Sequence, residues 1–177
     1  RVAREHFAVL MQPFVRAPEY RVFVLDGVAL FSYRKTAPEV VGDGVRTLAA
    51  LTLALPREAG APPPKARARD AAGRLIQSDG VLGDGVRAVL EGPANRAAGG
   101  GAAALRDGAE PKLARVAIAA AAAVDLRLAG VDMFDIDGEG PVVIEVNSNP
   151  MIATLEDNGR WDVIETIWRA NFAAALR

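Results

Sequence analysis

The sequence predicts an α+β domain with a mostly antiparallel sheet and helices packed on one face of it. Two segments have the pattern of β-hairpins and three have the pattern of helices, and they share one chain of 177 residues. That length is enough for a single domain with its own core. Strands that return through tight turns pair antiparallel, and helices between such hairpins cover the resulting sheet.

The first hairpin is centred on Asp26-Gly27. Residues 20–25 and 28–33 on either side are rich in valine, phenylalanine and tyrosine. Asp-Gly between two such runs is a strong signal for a two-residue turn. Upstream, residues 7–15 predict a further strand, in which Pro13 indicates a bend or an edge position.

The middle of the chain predicts short elements. Thr47 can cap a short helix that runs to Leu55, and short strands are expected at residues 75–76 and 86–90. Four prolines predict a flexible loop at about residues 56–74. The two Gly-Asp-Gly stretches at 42–44 and 83–85 have unlike flanks, which favours two independent turns over an internal repeat.

The C-terminal third predicts a helix, a second hairpin and a closing helix. Residues 111–124 are rich in alanine, the best helix former. Residues 126–136 and 142–146 read as strands around a turn at 137–140. In the tail, residues 160–176 predict an amphipathic helix from apolar residues at helical spacing. These are Trp161, Ile164, Ile167, Trp168 and Phe172.

The second hairpin brings two carboxylates together. A turn centred on Gly138-Glu139 places Asp132 directly opposite Glu145, and Asn147 lies on the same face as Glu145. Two facing carboxylates repel each other, and a divalent cation between them would remove that repulsion. Carboxylate and amide oxygens are ligands that Mg²⁺ prefers. The pattern therefore predicts a metal site.

The alternative is that Asp132 faces solvent and Glu145 pairs with an arginine. Glu145, however, interrupts the apolar strand 142–146, and a strand that looks buried seldom carries an acid without a partner. This observation favours the metal site.

Composition excludes several other kinds of chemistry. With 21 basic and 22 acidic residues the net charge is −1, so no broad attraction to nucleic acid or to a membrane surface is expected. The chain has no cysteine and one histidine, His6. Thiol catalysis, thiolate metal sites and disulfides are therefore excluded. The lack of cysteine fits a reducing compartment and a cytoplasmic location.

The motif around the paired carboxylates resembles the signature of ATP-grasp enzymes. Gly130-Val131-Asp132 is followed by Ile-Glu-Val-Asn-Ser-Asn-Pro at residues 144–150. In that family the corresponding Asp, Glu and Asn bind the Mg²⁺ ions that bridge the phosphates of ATP. The resemblance thus implies that Asp132, Glu145 and Asn147 are metal ligands. Met151 departs from the glycine that usually follows the proline.

Other stretches resemble the same family in the same order: residues 12–15, residues 19–22 with 40–48, and the Asn-x-x-x-Gly-Gly loop at 95–100. The branch that the last two resemble contains cyanophycin synthetase and bifunctional glutathione synthetase. Glutamate ligases that modify a ribosomal protein are near relatives. The resemblance implies that this chain is the C-terminal subdomain of the ATP-grasp fold, over residues 1–177, without the N-terminal subdomain. A chain of that kind would bind ATP weakly on its own and turn over little.

The branch also implies roles for further residues. It assigns Gln12, Phe14 and Val15 to the adenine-binding hinge, Glu19 to the ribose hydroxyls, Arg21 with Arg34 or Lys35 to the phosphates, and the loop of Asn95, Gly99 and Gly100 to the transferred phosphate.

The activity that the resemblance implies is an ADP-forming carboxylate–amine ligase, which makes an amide bond through an acyl phosphate. It would use ATP with Mg²⁺ or Mn²⁺, and its partners would be a small carboxylate and an amine such as an amino acid or peptide. A homo-oligomer is compatible with it. Two other readings stay open: a Mg²⁺-dependent phosphoryl hydrolase built on the same acids, and a non-catalytic ATP-grasp-derived binding module.

Overall fold

The computed structural model describes residue 15 and residues 17–55, 64–91, 101–102 and 105–176. In these ranges the strands are β1 (Glu19–Leu25), β2 (Val28–Thr36), β3 (Glu39–Val41), β4 (Ala68–Arg69), β5 (Leu75–Ile76), β6 (Arg87–Leu90), β7 (Gly101–Ala102), β8 (Arg106–Asp107), β9 (Leu128–Ile136) and β10 (Gly140–Asn147). The helices in the same ranges are α1 (Leu48–Leu53), α2 (Pro111–Ala123), α3 (Ala153–Asp157) and α4 (Trp161–Ala175).

These strands form two antiparallel sheets. The larger sheet has six strands in the order β10-β9-β1-β2-β7, and β8 also pairs with β2. The smaller sheet has the order β3-β6-β4-β5. The α+β class with a mostly antiparallel sheet, which the sequence predicts, is confirmed.

The first hairpin consists of β1 and β2, as predicted. Asp26 and Gly27 have φ angles of 50° and 76°, which is the left-handed conformation that a type I′ turn needs at both central positions. Leu25 pairs with Val28 to close the turn. The local sequence therefore sets the register next to the turn, and a bulge between Phe23 and Val24 shifts it by one residue further along.

The middle of the chain matches its prediction except in one loop. Thr47 caps α1, because its hydroxyl accepts a hydrogen bond from the Ala50 amide at 3.3 Å. The loop predicted at about residues 56–74 is wrong at its C-terminal end, where Ala68–Arg69 forms β4. Ala68 is fully buried, and packing of that small side chain outweighs the loop signal of the nearby prolines.

Helices cover both faces of the larger sheet, which corrects the expectation of one covered face. Along β1, Val22 and Val24 pack against α2, whereas Phe23 and Leu25 pack against α3 and α4. A strand that is apolar on both sides is typical of a sheet covered on both faces. The uninterrupted apolar run of β1 indicates two covered faces, whereas the helix patterns alone do not.

The closing helix α4 is amphipathic in a way that the sequence did not predict. Ile164 and Ile167 face the core of the larger sheet. Trp161, Trp168 and Phe172 are more than half exposed, and the rings of Trp168 and Phe172 stack with centroids 5.8 Å apart. Apolar spacing predicted the helix correctly, but it did not separate the buried side chains from the exposed ones.

The second hairpin, β9 and β10, contains a β-bulge. Near the turn, Val143 pairs with Met133, but beyond Ile144 the register shifts so that Glu145 pairs with Asp132. The turn is therefore displaced relative to the predicted centre, and the extra residue Ile144 compensates. The predicted pairing of Asp132 with Glu145 is thus present, for a reason that the sequence argument did not contain.

The two Gly-Asp-Gly turns lie against each other and are joined by backbone hydrogen bonds. The Gly42 amide donates to Val86 O (2.8 Å), and the Gly85 amide donates back to Gly42 O (2.9 Å). A Cβ atom at Gly42 would overlap the carbonyl oxygen of Gly83. Glycine is needed at position 42 because the two backbones approach each other so closely.

In the part of the chain that the structure describes, no helix is both long enough and apolar enough to cross a membrane.

Candidate functional site

Four charged residues meet on one face of the larger sheet. Glu19 and Arg21 are two residues apart on β1, so their side chains point to the same face. Arg21 pairs in register with Asp132 on β9. Lys35 lies on β2, next to the residue that pairs with Tyr20, and this places it opposite Glu19. The alternation of side chains along each strand brings all four to the same side.

Asp132 is the centre of this group. It is 1% exposed, and its two oxygens accept bonds from Nε and Nη2 of Arg21, both at 2.7 Å. Its Oδ2 also accepts a bond from Nζ of Lys35 at 2.7 Å. Bidentate pairing with a guanidinium is among the strongest polar contacts in proteins. These contacts allow a carboxylate to lie in an otherwise apolar strand.

The charges of the group reinforce one another. Burial alone would raise the pKa of Asp132, but hydrogen bonds from Arg21 and Lys35 outweigh it and hold that pKa below its usual range. The hydrogen bond to Asp132 raises the pKa of Arg21 despite burial. Burial acts to lower the pKa of Lys35, yet its bonds to Asp132 and Glu19 raise it overall. All three groups are therefore charged at neutral pH.

The other half of the site is on β10. Glu145 lies opposite Asp132 and is exposed, and Nδ2 of Asn147 donates to Oε1 of Glu145 at 3.0 Å and to the Gly130 carbonyl at 3.4 Å. The alternative with Asp132 in solvent is therefore wrong, because Asp132 is buried; among the described residues, the acid of this pair that binds an arginine is Asp132 and not Glu145. The amide of Asn147 is held beside Glu145.

Gly130 fixes the strand end that carries Asn147. A Cβ atom at this position would lie 2.7 Å from Cβ of Pro150, and Pro150 is buried. The absence of a side chain at Gly130 lets the ring of Pro150 pack directly on β9. This contact anchors the loop that follows Asn147, next to the site.

The donor set fits a hard divalent cation. Three of the roughly four lone-pair positions of Asp132 are used by Arg21 and Lys35, which leaves capacity for one more contact. Glu145 supplies an exposed carboxylate and Asn147 an amide oxygen. Among the described residues, no three His, Cys, Asp or Glu side chains group as a metal site, so the set depends on the amide of Asn147.

The structure separates the two basic candidates on β2. Lys35 joins the group, whereas Arg34 is exposed and points to the opposite face because adjacent strand residues alternate. Arg34 is therefore not placed at this site. Val15 is half-buried and belongs to no strand.

Five other predicted site residues lie outside the described part of the chain, as does the strand predicted at 7–15 apart from Val15. They are Gln12, Phe14, Asn95, Gly99 and Gly100.

Sequence reasoning missed one neighbour of the group and one contact within it. Tyr33 pairs in register with Arg21 and interacts with its guanidinium, and Glu19 forms an ion pair with Lys35. The turn at Asp26-Gly27 alone would not have indicated either contact. Next to the turn the residue numbers of paired positions sum to 53, and a register shift between Phe23 and Val24 raises the sum to 54 from Phe23–Phe31 to Tyr20–Arg34.

The sequence of this chain matches a known protein family. The sequence profile of the RimK-like ATP-grasp domain matches residues 75–170, which is more than half of the chain. The chain belongs to the RimK-like ATP-grasp family. The resemblance described from the sequence is thereby confirmed at the level of ATP-grasp ligases, a class of ATP-dependent enzymes. The matched range of this ATP-grasp chain includes Asp132, Glu145 and Asn147.

A solved structure shows the same fold. The bifunctional glutathione synthetase from Pasteurella multocida superposes with a TM-score of 0.50 at 21% sequence identity, over 78% of this ATP-grasp chain. The aligned part spans only 21% of that protein. No curated protein sequence matches this chain.

Proposed function

We propose that this ATP-grasp chain is the metal- and phosphate-binding part of an ADP-forming carboxylate–amine ligase. The observation that carries the proposal is the group on one sheet face: the pair of Asp132 and Glu145, with Arg21 and Lys35 beside it. Two acids with an amide and two adjacent cations match the needs of a polyphosphate with its metal.

The proposed reaction has two steps. An oxygen of a substrate carboxylate attacks the γ-phosphorus of ATP, and ADP leaves, which gives an acyl phosphate. The nitrogen of an amine then attacks the acyl carbon, phosphate leaves and the nitrogen loses a proton, so the products are an amide, ADP and phosphate. No covalent bond to the protein is needed. This suits a chain without cysteine.

The described residues would act by charge and position. Arg21 and Lys35 would neutralise charge on the phosphates as the γ-phosphoryl group moves. A bound Mg²⁺ or Mn²⁺, held by Asp132, Glu145 and Asn147, would neutralise further phosphate charge. The loop with Asn95 is assigned to the transferred phosphate by family resemblance alone.

The proposal includes the class of substrate and the setting. A small carboxylate and an amine, such as an amino acid or a peptide, are the expected partners, and neither nucleic acid nor a membrane is. The net charge of −1 supports this choice, because it provides no broad attraction to a polyanion. We further propose a cytoplasmic location.

Calorimetric titration with ATP tests the proposal, with and without Mg²⁺. Glu145→Gln removes one charge from an exposed side chain, and Glu139→Gln removes one from the exposed turn of the same hairpin. We expect Mg²⁺-dependent binding that Glu145→Gln weakens at least tenfold, about the loss of one charged contact, and that Glu139→Gln leaves unchanged. Equal behaviour of both variants would contradict the metal site.

An assay of ADP release separates the ligase from the two alternatives. A ligase sustains ADP release over many turnovers only when both a carboxylate and an amine are present. Release of phosphate without an amine would instead indicate the hydrolase. Mg²⁺-dependent binding with no turnover of any substrate pair would indicate the non-catalytic module.

A further inference from the structure

The ammonium group of Lys35 is shared by two carboxylates. Its Nζ lies 2.6 Å from Oε1 of Glu19 and 2.7 Å from Oδ2 of Asp132. The Lys35 side chain is 13% exposed and that of Glu19 is 23% exposed. A lysine side chain is long and flexible, and two acceptors on different strands restrict its ammonium to one place.

Lys35 reaches Asp132 across an intervening strand. Lys35 is on β2 and Asp132 is on β9, and β1 lies between them. Two strand spacings amount to about 10 Å. Glu19 is on β1, so it lies along the path that the lysine takes and holds its end. Without Glu19, a single contact would have to keep the extended side chain in place at the cost of its rotamer freedom.

Lys35 makes fewer bonds to Asp132 than Arg21 does. Arg21 is directly opposite Asp132 and binds it through two parallel bonds, which fix a planar guanidinium. Lys35 makes one bond to Asp132, at an oxygen that Arg21 also uses. Both acceptor positions of that oxygen are therefore used, and the bond to Glu19 is the second contact that keeps the Lys35 ammonium in place.

We propose that Glu19 is a positioning residue for Lys35: it holds the lysine ammonium against Asp132 and so fixes a positive charge for the nucleotide phosphates. This inference rests on the proposed function. It differs from the role that family resemblance implies for Glu19, which is contact with the ribose hydroxyls. In that role Glu19 touches the nucleotide, whereas in ours it acts through Lys35.

A double-mutant cycle on nucleotide affinity distinguishes these roles. The variants are Glu19→Gln, Lys35→Met and the double variant, and the ligands are MgATP and Mg-2′,3′-dideoxy-ATP, which lacks both ribose hydroxyls. We expect Glu19→Gln to weaken binding of both nucleotides about tenfold, the loss of one charged hydrogen bond. In the Lys35→Met background we expect no further loss.

The opposite pattern would overturn the inference. If Glu19 binds the ribose, Glu19→Gln will weaken ATP binding but not dideoxy-ATP binding, and the loss will persist with Lys35→Met. Glu39→Gln is the control, because Glu39 pairs with Arg87 at the exposed surface of the smaller sheet. We expect it to change neither affinity.

Thermal unfolding without nucleotide gives a second readout. We expect Glu19→Gln and Lys35→Met each to lower Tm, and the double variant to lower it no further than the worse single variant, because the two residues share one interaction. Strictly additive shifts would overturn the inference. Absence of MgATP binding by the unmodified chain would count against the proposed function, and the thermal cycle would still decide whether Glu19 and Lys35 are coupled.

Discussion

At the scale of single residues, the site depends on side chains of opposite charge that pair across neighbouring strands. Glu19 and Arg21 on β1 face Lys35 and Asp132 on the strands at either side. Each cation therefore has an acid next to it, and the buried acid has two cations. Breaking a buried pair of this kind is costly, because it leaves an uncompensated charge.

Asp132→Asn tests this cost and its pH dependence. At pH 7 we expect the variant to lower the free energy of unfolding by about 3 kcal/mol or more, because Arg21 and Lys35 lose their partner. The folded-state pKa of Asp132 lies below its ordinary value, which is about 3.9. The stabilisation is thus present above about pH 4 and is lost as the pH falls through the lowered pKa. Urea unfolding of both proteins at pH 7, and again at a pH below the lowered pKa of Asp132, measures the effect.

The control for this prediction is Glu165→Gln. Glu165 pairs with Arg169 one helical turn away, and both side chains are well exposed. We expect a change below about 0.5 kcal/mol at neutral pH. A gap between the unmodified chain and Asp132→Asn that does not narrow on acidification would contradict the assigned ion pairs.

At the scale of elements, the strand ends around the site are held by backbone features. The bulge at Ile144 brings Glu145 opposite Asp132, and the contact of Gly130 with Pro150 anchors the loop after Asn147. Bulges are common beside functional sites because they redirect side chains. The pairing of Asp132 with Glu145 thus depends on a departure from a regular ladder of backbone hydrogen bonds.

Gly130→Ala tests the anchoring contact. The added Cβ would meet the rigid ring of Pro150, so we expect a loss of about 1–3 kcal/mol in unfolding free energy, as for other overpacked sites. Gly83→Ala is the matched control, since its Cβ would meet only Val86 Cγ2 at 3.4 Å. We expect Gly83→Ala to stay within about 0.5 kcal/mol of the unmodified chain. Chemical denaturation measures both, and equal stabilities would argue against close packing at Gly130.

The elements that the sequence predicted well are those with local turn and cap signals. Asp26-Gly27 and Thr47 each specify a chain reversal or a helix start through their own backbone and side-chain chemistry. The bulge at Ile144 could not be predicted in this way, because it depends on the pairing of two complete strands. The choice between Lys35 and Arg34 could not be predicted either, because a shift of the strand register by one residue moves every side chain to the opposite face.

At the scale of the whole molecule, the described residues form two sheets with separate cores. The core of the smaller sheet includes Val40, Leu48 and Leu90, and the larger sheet has its own clusters on either face. The charged group lies on the larger sheet alone. Cores that share few side chains can open separately, as local unfolding units do.

Leu90→Ala tests this separation. Leu90 is 2% exposed, and its truncation should destabilise its surroundings by about 2–5 kcal/mol. Native-state hydrogen exchange should show faster exchange of the amides of β3 and β6, with little change at Val22 and Val131 in the larger sheet. A uniform loss of protection in both sheets would show that they unfold together.

The path of the chain into and out of the smaller sheet has a consequence for protein engineering. The Leu90 amide donates to Pro38 O at 2.8 Å, so the chain leaves this sheet beside the point where it enters. A chain segment whose two ends lie next to each other resembles an inserted domain. Such a segment can be replaced at its ends with little effect on the rest of the protein. We expect a chimaera that exchanges residues 39–90 for the corresponding segment of another family member to keep the charged group of the larger sheet intact.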